Sequence, residues 1–134
     1  MTCDDVDWAT VYDEDGFWKF SDFYDKDEKV TCDATNDKIF LLSAEEAGKY
    51  FPTPESRICA PTDYAIKCGA WTTSDYSDST GRDAGYWWLR SGGSRSSWVG
   101  NVLSRGARID VDSPKATTGG VRPALRIDLN SGVF

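Results

Sequence analysis

Apolar positions in the first half of the chain form a short run, residues 39–42, that polar residues bound on both sides. Such a run indicates a buried strand. Ser43 follows it, and Glu46 stands three residues later, which is the spacing of a capping box that opens a helix. We therefore predict a strand over residues 37–42 and a helix over residues 44–50.

Prolines and a glycine delimit a second helix. Pro52 and Pro54 prevent the first helix from continuing, because proline lacks the N–H that a helix interior needs. Thr62 is a favourable N-cap and Gly69 suits the position just past a helix end, so we predict a short helix between these two residues. Residues 70–85 are rich in Ser, Thr, Asp and Gly and are predicted to form a polar surface loop.

The second half of the chain is typical of β-structure. Residues 86–90 are strongly β-prone, and residues 98–111 alternate around a turn at residues 104–106 as a hairpin does. Residues 121–127 alternate apolar and polar side chains, and Pro123 places that strand at an edge or a bulge. Helices in the first half followed by antiparallel strands in the second predict an α+β fold.

Composition and charge exclude several functions. The chain has 134 residues, a length typical of one domain, and it contains no histidine. Ser-His-Asp catalysis, Cys-His catalysis and His-ligated zinc are therefore excluded. The net charge of −7 argues against a nucleic-acid partner. No apolar run approaches the roughly 20 residues of a membrane-spanning helix, so we expect no membrane insertion.

Charge is distributed unevenly along the chain. Residues 1–46 carry 14 acidic and 4 basic side chains, whereas residues 82–134 carry 4 acidic and 8 basic ones. We expect the acidic, aromatic-rich segment 1–36 to pack on the basic half of a domain formed by residues 37–134, because its aromatic side chains need a surface to pack on. The acidic stretch 13–16 resembles a calcium loop but lacks its later ligands, so we interpret it as a turn.

Cysteine spacing leaves the redox state open. Cys3, Cys32, Cys59 and Cys68 follow no metal-binding spacing. Two disulfides with three possible connectivities suit an extracellular protein, and four reduced thiols suit a cytosolic one.

Five segments carry a resemblance to a known family. They are residues 37–43 (DKIFLLS), 49–52 (KYFP), 60–65 (APTDYA), 85–91 (GYWWLRS) and 120–125 (GVRPAL). Over residues 37–129 the chain resembles a bacterial and phage domain family of unknown function with a C-type-lectin-like fold, related to the variable proteins of diversity-generating retroelements.

The resemblance implies two short helices packed on small antiparallel sheets and a C-terminal display surface at residues 94–118, whose exposed side chains are the ones diversified in the retroelement-linked members. It also implies a non-enzymatic protein without a cofactor that binds a protein or cell-surface ligand, and an extracellular, cell-surface or virion-associated location. Composition agrees independently, since 15 of the 30 residues at positions 91–120 are Ser, Gly, Thr or Asn, although the same composition also describes an ordinary β-rich surface with turns.

Candidate ligand-binding residues follow from alternation along the hairpin and from the adjoining loops. Trp98 lies in a serine-rich stretch and is the best single candidate for an exposed anchor. Alternation assigns Val102, Gly106, Ile109 and Val111 to the scaffold. The predicted ligand-binding set is Arg95, Trp98, Asn101, Leu103, Arg105, Arg108, Asp110, Asp112, Lys115 and Thr117.

Residues within the apolar motifs are interpreted as structural. One of Trp87 and Trp88 must face inward, because side chains alternate on a strand. Arg90 and Arg122 are expected to pair with acidic residues of the first half.

Three alternative functions are weighed against ligand display. The first is a structural or adhesin-type module of a bacterial surface or phage protein. The second is a hydrolase using Asp110 and Asp112, which share one strand face without visible acid-base asymmetry. The third follows from the enzyme branch of the same fold, the formylglycine-generating oxidases, whose late copper-holding cysteines have no counterpart here. The EPN and QPD tripeptides of calcium-dependent lectins are also absent from the sequence.

Overall fold

The computed structural model describes residues 6–16, 36–95, 97–130 and 132, with short helices and small antiparallel sheets. The helices are α1 (Trp8–Glu14), α2 (Ala44–Tyr50), α3 (Pro54–Arg57) and α4 (Asp63–Lys67). The strands are β1 (Ile39–Phe40), β2 (Thr73–Ser77), β3 (Asp83–Ala84), β4 (Trp87–Gly92), β5 (Val99–Val102), β6 (Arg108–Asp112) and β7 (Ala124–Leu125). They form the sheets β1–β7, β2–β3 and β4–β5–β6. The predicted α+β class is confirmed.

Both predicted helices begin at their predicted caps. The Ser43 hydroxyl accepts from the Glu46 N–H at 3.0 Å, and the Glu46 carboxylate accepts from the Ser43 N–H at 3.1 Å, which completes the capping box of α2. The Thr62 hydroxyl accepts from the Ala65 N–H at 3.1 Å and opens α4. Gly69 follows α4 with φ of +103°, a backbone conformation that favours glycine.

Strands β1 and β7 differ from their prediction. They pair with each other, but each has only two residues. Ile39 is 66% exposed and Leu125 is 57% exposed, whereas Leu42 is buried and Phe40 packs against the core. The prediction of a buried strand at residues 37–42 therefore holds only in part, because the strand is confined to Ile39–Phe40. Pro123 has no N–H to extend the ladder, which is consistent with β7 beginning only at Ala124 rather than at residue 121.

The predicted loop at residues 70–85 contains the hairpin β2–β3. The β2 side chains are largely exposed, so the strand has no apolar alternation that would reveal it. The Asp78 carboxylate accepts from the Thr80 hydroxyl at 2.6 Å and from the backbone N–H groups of Thr80 and Arg82. These bonds hold the turn and lower the pKa of Asp78 to about 2.

The core lies between the three-stranded sheet and helices α1 and α2. Trp8 and Tyr12 of α1 are 3% and 2% exposed, and Trp87 of β4 is 3% exposed. The Trp8 indole N–H donates to the Gly92 carbonyl at 3.0 Å. Helix α1 of the N-terminal segment therefore packs in the core, whereas residues 1–5 and 17–35 of that segment lie outside the described residues. Trp87 is the inward member of the tryptophan pair.

Ion pairs join the C-terminal end of α1 to two arginines, Arg57 and Arg108, of which Arg108 belongs to the basic part of the chain. The Asp15 carboxylate contacts the Arg57 guanidinium at 2.9 Å and the Arg108 guanidinium at 3.0 Å, and Glu14 contacts Arg108 at 2.8 Å. Asp15 thus serves as the acceptor for two guanidinium groups in the turn after α1. The uneven charge along the chain is compensated here inside the fold.

The two motif arginines have different partners. Arg90 pairs with Glu46, as expected. Arg122 instead lies over two aromatic rings, at 4.3 Å from the Phe51 centroid and 5.0 Å from the Trp87 centroid, and no acidic side chain among the described residues forms an ion pair with it. The prediction that Arg122 pairs with an acidic residue is therefore wrong, because its guanidinium stacks on aromatic rings instead.

Candidate functional site

The predicted display residues lie at two opposite ends of the three-stranded sheet. Val99 at the start of β5 pairs with Asp112 at the end of β6, so the loop 93–98 and the segment after β6 begin at the same end. Arg105 lies in the turn that connects β5 to β6, at the other end. The structure therefore separates Arg105 from Trp98 by the length of β5.

Arg95 and Trp98 form the clearest pair among the predicted residues. The Arg95 guanidinium carbon lies 4.8 Å from the centroid of the Trp98 ring, and both side chains are half-buried. Backbone hydrogen bonds hold the loop, from the Gly93 N–H to the Trp98 carbonyl at 2.9 Å and from the Trp98 N–H to the Arg95 carbonyl at 3.0 Å. We call residues 93–98 the display loop.

Lys115 and Thr117 are exposed, as predicted. They lie in the segment 113–119, which begins where β6 ends. This segment then reaches β4, because the Gly120 N–H donates to the Tyr86 carbonyl at 2.8 Å. The segment therefore runs from the end of the sheet that carries the display loop to the start of β4.

Asn101 and Arg108 were predicted to be exposed, and both predictions are wrong. Asn101 is 0% exposed and Arg108 is 3% exposed. Leu103 is half-buried and packs against the core. Alternation along the strands does not predict exposure here, because residues 100–102 and 107–109 are all buried and both faces of the hairpin are therefore covered. In addition, the strand register shifts between Val99 and Asn101. The remaining predicted residues, Asp110 and Asp112, have side chains outside the described part of the structure.

Arg108 is a structural residue at the centre of the ion pairs. Its guanidinium donates to Asp15, to Glu14 and to the Ala44 carbonyl at 2.8 Å. Burial alone would lower the pKa of Arg108, but its hydrogen bonds with the two carboxylates outweigh burial and raise that pKa. Gly48 leaves room for the guanidinium, since a Cβ there would overlap it.

Asp15 and Glu46 are two described carboxylates that are partly removed from water and engaged by arginine side chains. Burial raises the pKa of each, and hydrogen bonds from Arg108 to Asp15 and from Arg90 to Glu46 reverse this effect, so that both values are lowered. The Asp15 oxygens accept from Arg57 and from three Arg108 nitrogens. A carboxylate engaged in this way is held as an anion and has little capacity left to accept a proton from a substrate.

A cleft of about 540 Å³ lies between α1 and α2, with Val11, Glu14 and Lys49 in its walls and Arg108 facing it. Its buried charges are already paired with one another. Among the described residues no cluster of acidic or cysteine side chains could hold a metal ion.

Three aromatic side chains form a cluster that sequence analysis missed. The Trp71 and Tyr86 ring centroids are 6.4 Å apart, and the Tyr86 and Trp88 centroids are 5.7 Å apart with the rings edge to face. Trp71 is 48% exposed, and the other two are half-buried. We call these three residues the aromatic groove. The sequence feature that could have indicated this cluster is Trp71, because a tryptophan within a polar segment is unusual.

Cys59 is half-buried and Cys68 is exposed, and both are free thiols. Cys3 and Cys32 lie outside the described residues. No helix in the described part of the chain is both long and apolar enough to cross a bilayer.

Residues 22–129 match a family described as a domain of unknown function, DUF6273. The chain belongs to this family. No curated protein and no solved structure matches the chain. The DUF6273 region contains the display loop and the aromatic groove, whereas α1 and Asp15 lie before it.

Proposed function

We propose that this DUF6273 protein is a non-enzymatic ligand-binding domain of C-type-lectin-like fold, related to the variable proteins of diversity-generating retroelements. Its recognition surface is the display loop together with Lys115 and Thr117, and its partner is a protein or cell-surface ligand. The geometry narrows the predicted set, because Asn101 and Arg108 are buried and Arg105 lies at the other end of the sheet.

The observation that carries this proposal is the stacked pair of Arg95 and Trp98 on a loop that contains two backbone hydrogen bonds. Tryptophan and arginine are the residue types that most often dominate binding energy at interfaces. Because backbone atoms form these two bonds, replacing the side chain of Trp98 leaves both bonds in place. A surface that varies in sequence on a constant scaffold requires this property.

The buried charges support a binding role over a catalytic one. Asp15 and Glu46 are the described carboxylates that burial perturbs most, and arginine side chains engage both. Catalytic acids and bases need a lone pair or a proton available to substrate.

Paired randomisation tests the proposal. In one library, codons 94–98 and 115–117 are randomised together; in a matched library, codons 99–102 and 107–109 are randomised. We expect most members of the first library to keep a cooperative thermal transition and most members of the second to lose it. Equal losses in both libraries would overturn the display model.

Ligand binding is tested with arrays of glycans and of surface proteins probed with the purified domain. We expect the Arg95→Ala/Trp98→Ala double variant to lose saturable binding by tenfold or more while its melting temperature stays close to that of the parent. Arg82→Ala is the matched control, because Arg82 forms an exposed ion pair with Asp63 away from the display loop. Full retention of binding by the double variant would contradict the assignment.

Sequencing the locus for a reverse transcriptase and an adenine-rich near-repeat of the C-terminal coding segment tests the retroelement relation.

A further inference from the structure

We propose that two copies of this chain associate through residues 125–129, which pair as antiparallel strands about a two-fold axis at Ile127. This surface contains no residue of the display loop, and the inference does not depend on the function proposed above.

The segment that contains β7 presents its apolar side chains to solvent. Val121, Leu125, Ile127 and Leu129 are 69%, 57%, 56% and 79% exposed, and Pro123 between them is exposed as well. These five residues stand at alternate positions, which place side chains on one side of an extended chain. We call them the apolar stripe. Single exposed aliphatic side chains are common on protein surfaces, whereas a row of five is typical of a site of association.

Contacts on the other side of the segment fix this orientation. Ala124 packs against the core, and the Arg122 guanidinium lies 4.3 Å from the centroid of the Phe51 ring. The Arg126 guanidinium lies 5.7 Å from the centroid of the Phe40 ring. Positions 122, 124 and 126 therefore face the domain, and the apolar stripe cannot turn inward without breaking these contacts.

One edge of β7 is open to pairing. Strand β7 pairs with β1, and no second strand lies beside it among the described residues. Residues 125–130 are all exposed, and residues 126–128 continue from β7 without entering a helix or a turn. An exposed strand edge of this kind offers backbone groups to another extended chain.

The sequence of this edge is complementary to itself. Residues 125–129 read LRIDL, so that apolar, basic, apolar, acidic and apolar side chains follow one another. When two such strands run antiparallel about Ile127, Leu125 of one copy stands opposite Leu129 of the other, and the two Ile127 side chains meet at the axis. Directly opposed side chains lie about 5 Å apart on the same face, so each apolar row packs along the other.

Charge fixes the register of this pairing. Arg126 of each copy stands opposite Asp128 of the other, which places two ion pairs beside the axis. A register shifted by one residue would oppose apolar side chains to charged ones. A register shifted by two residues would oppose two arginines or two aspartates. The proposed register therefore matches both charge and hydrophobicity.

A second copy suits this edge because a two-fold contact requires a patch that is complementary to itself. The net charge of −7 makes two copies repel each other at long range, so their association needs local attraction of the kind that Arg126 and Asp128 supply. Arg126 contacts Glu46 at 3.4 Å, but its side chain is 74% exposed. A guanidinium has five N–H donors, and this contact leaves donors for Asp128 of the second copy.

Sedimentation equilibrium of the full chain tests the proposal. We expect the average mass to rise from that of one chain toward that of two between about 1 µM and 1 mM, a range that covers weak association. Arg126→Asp and Asp128→Arg each place like charges opposite each other and should weaken the association at least tenfold. The double variant Arg126→Asp/Asp128→Arg restores opposite charges and should return the affinity to within threefold of the parent.

Two further variants separate strand pairing from general apolar association. Ile127→Asp places two carboxylates at the axis and should weaken the association at least tenfold. Val121→Asp is the matched control, because Val121 lies on the apolar stripe outside the paired residues, and it should change the affinity less than threefold. The melting temperature of each variant verifies that it is folded. A chain that stays monomeric at about 1 mM, equal losses from Ile127→Asp and Val121→Asp, or a double variant that associates no better than the single ones would each overturn the proposal.

Discussion

Arg108 shows how one side chain ties distant parts of this chain together. It lies on β6, yet it contacts the C-terminal turn of α1 through Asp15 and the start of α2 through the Ala44 carbonyl. A buried guanidinium is costly to remove from water, and these acceptors offset that cost. Arg108 therefore contributes to stability and, because it is buried, does not belong to the recognition surface.

Replacing Arg108 should be far more damaging than replacing an exposed arginine. Arg108→Ala removes the guanidinium facing the buried Asp15, and we expect a loss in the free energy of unfolding on the order of 3 kcal/mol. Arg82→Ala breaks an exposed pair and should cost about 1 kcal/mol or less. Urea denaturation of both variants measures the difference, and equal losses would show that the buried pairs contribute nothing special.

Acid should destabilise the protein through Asp15 and Glu46. Folding lowers the pKa of each, so the unfolded state binds more protons at acid pH. The stability they contribute is present above the ordinary carboxyl pKa range and is lost as pH falls below about 4. The free energy of unfolding measured between pH 7 and 3 should decline in this window. A double variant, Asp15→Asn/Glu46→Gln, should be less stable at pH 7 and show a flatter decline; an unchanged pH profile would contradict the assignment.

At the scale of elements, the turn between β5 and β6 is held by its contact with α3. Gly106 has φ of +87°, and a Cβ there would overlap the Pro54 carbonyl oxygen. The Arg57 side chain donates to the Gly106 carbonyl at 2.8 Å. Glycine at this position allows the hairpin and α3 to approach closely.

Two glycine substitutions separate backbone strain from close packing. Gly69→Ala introduces strain alone, because φ is +103° and the surrounding space is open; we expect a cost of about 1 kcal/mol. Gly106→Ala adds a backbone overlap to the same kind of strain, and its cost should exceed that of Gly69→Ala by about 2 kcal/mol or more. Thermal unfolding of the two variants checks this order, and the reverse order would place the turn away from α3.

At the scale of the whole molecule, α1 completes a core that otherwise belongs to the family region. Residues 22–129 match DUF6273, whereas Trp8 and Asp15 lie before that region. Both are integral to the fold, because Trp8 packs in the core and Asp15 pairs with Arg57 and Arg108. Helix α1 and the family region therefore share one core.

Deleting residues 1–16 should strongly destabilise the chain. The truncation removes three buried side chains of α1 and leaves two buried guanidinium groups without Asp15. We expect a loss of more than about 3 kcal/mol, seen as a large fall in melting temperature or as the absence of a cooperative transition. Tyr64→Ala is the control for loss of an exposed aromatic, since Tyr64 is 77% exposed. An unchanged melting curve for the truncated chain would show that α1 is dispensable.

Features set by neighbouring residues could be predicted from the sequence alone. The caps at Ser43 and Thr62, the glycine after α4 and the hairpin at residues 98–111 depend on bonds or turns between residues a few positions apart. The absence of histidine and the uneven distribution of charge also follow directly from the sequence.

Only the tertiary structure decided which faces are covered. Alternation on a strand separates two faces, but it does not show that both faces of β5 and β6 are buried, and so Asn101 and Arg108 were misplaced. The aromatic groove depends likewise on Trp71, Tyr86 and Thr118, which are brought together across 47 positions of sequence. Such contacts arise when distant segments pack against each other, and local residue patterns carry no direct record of them.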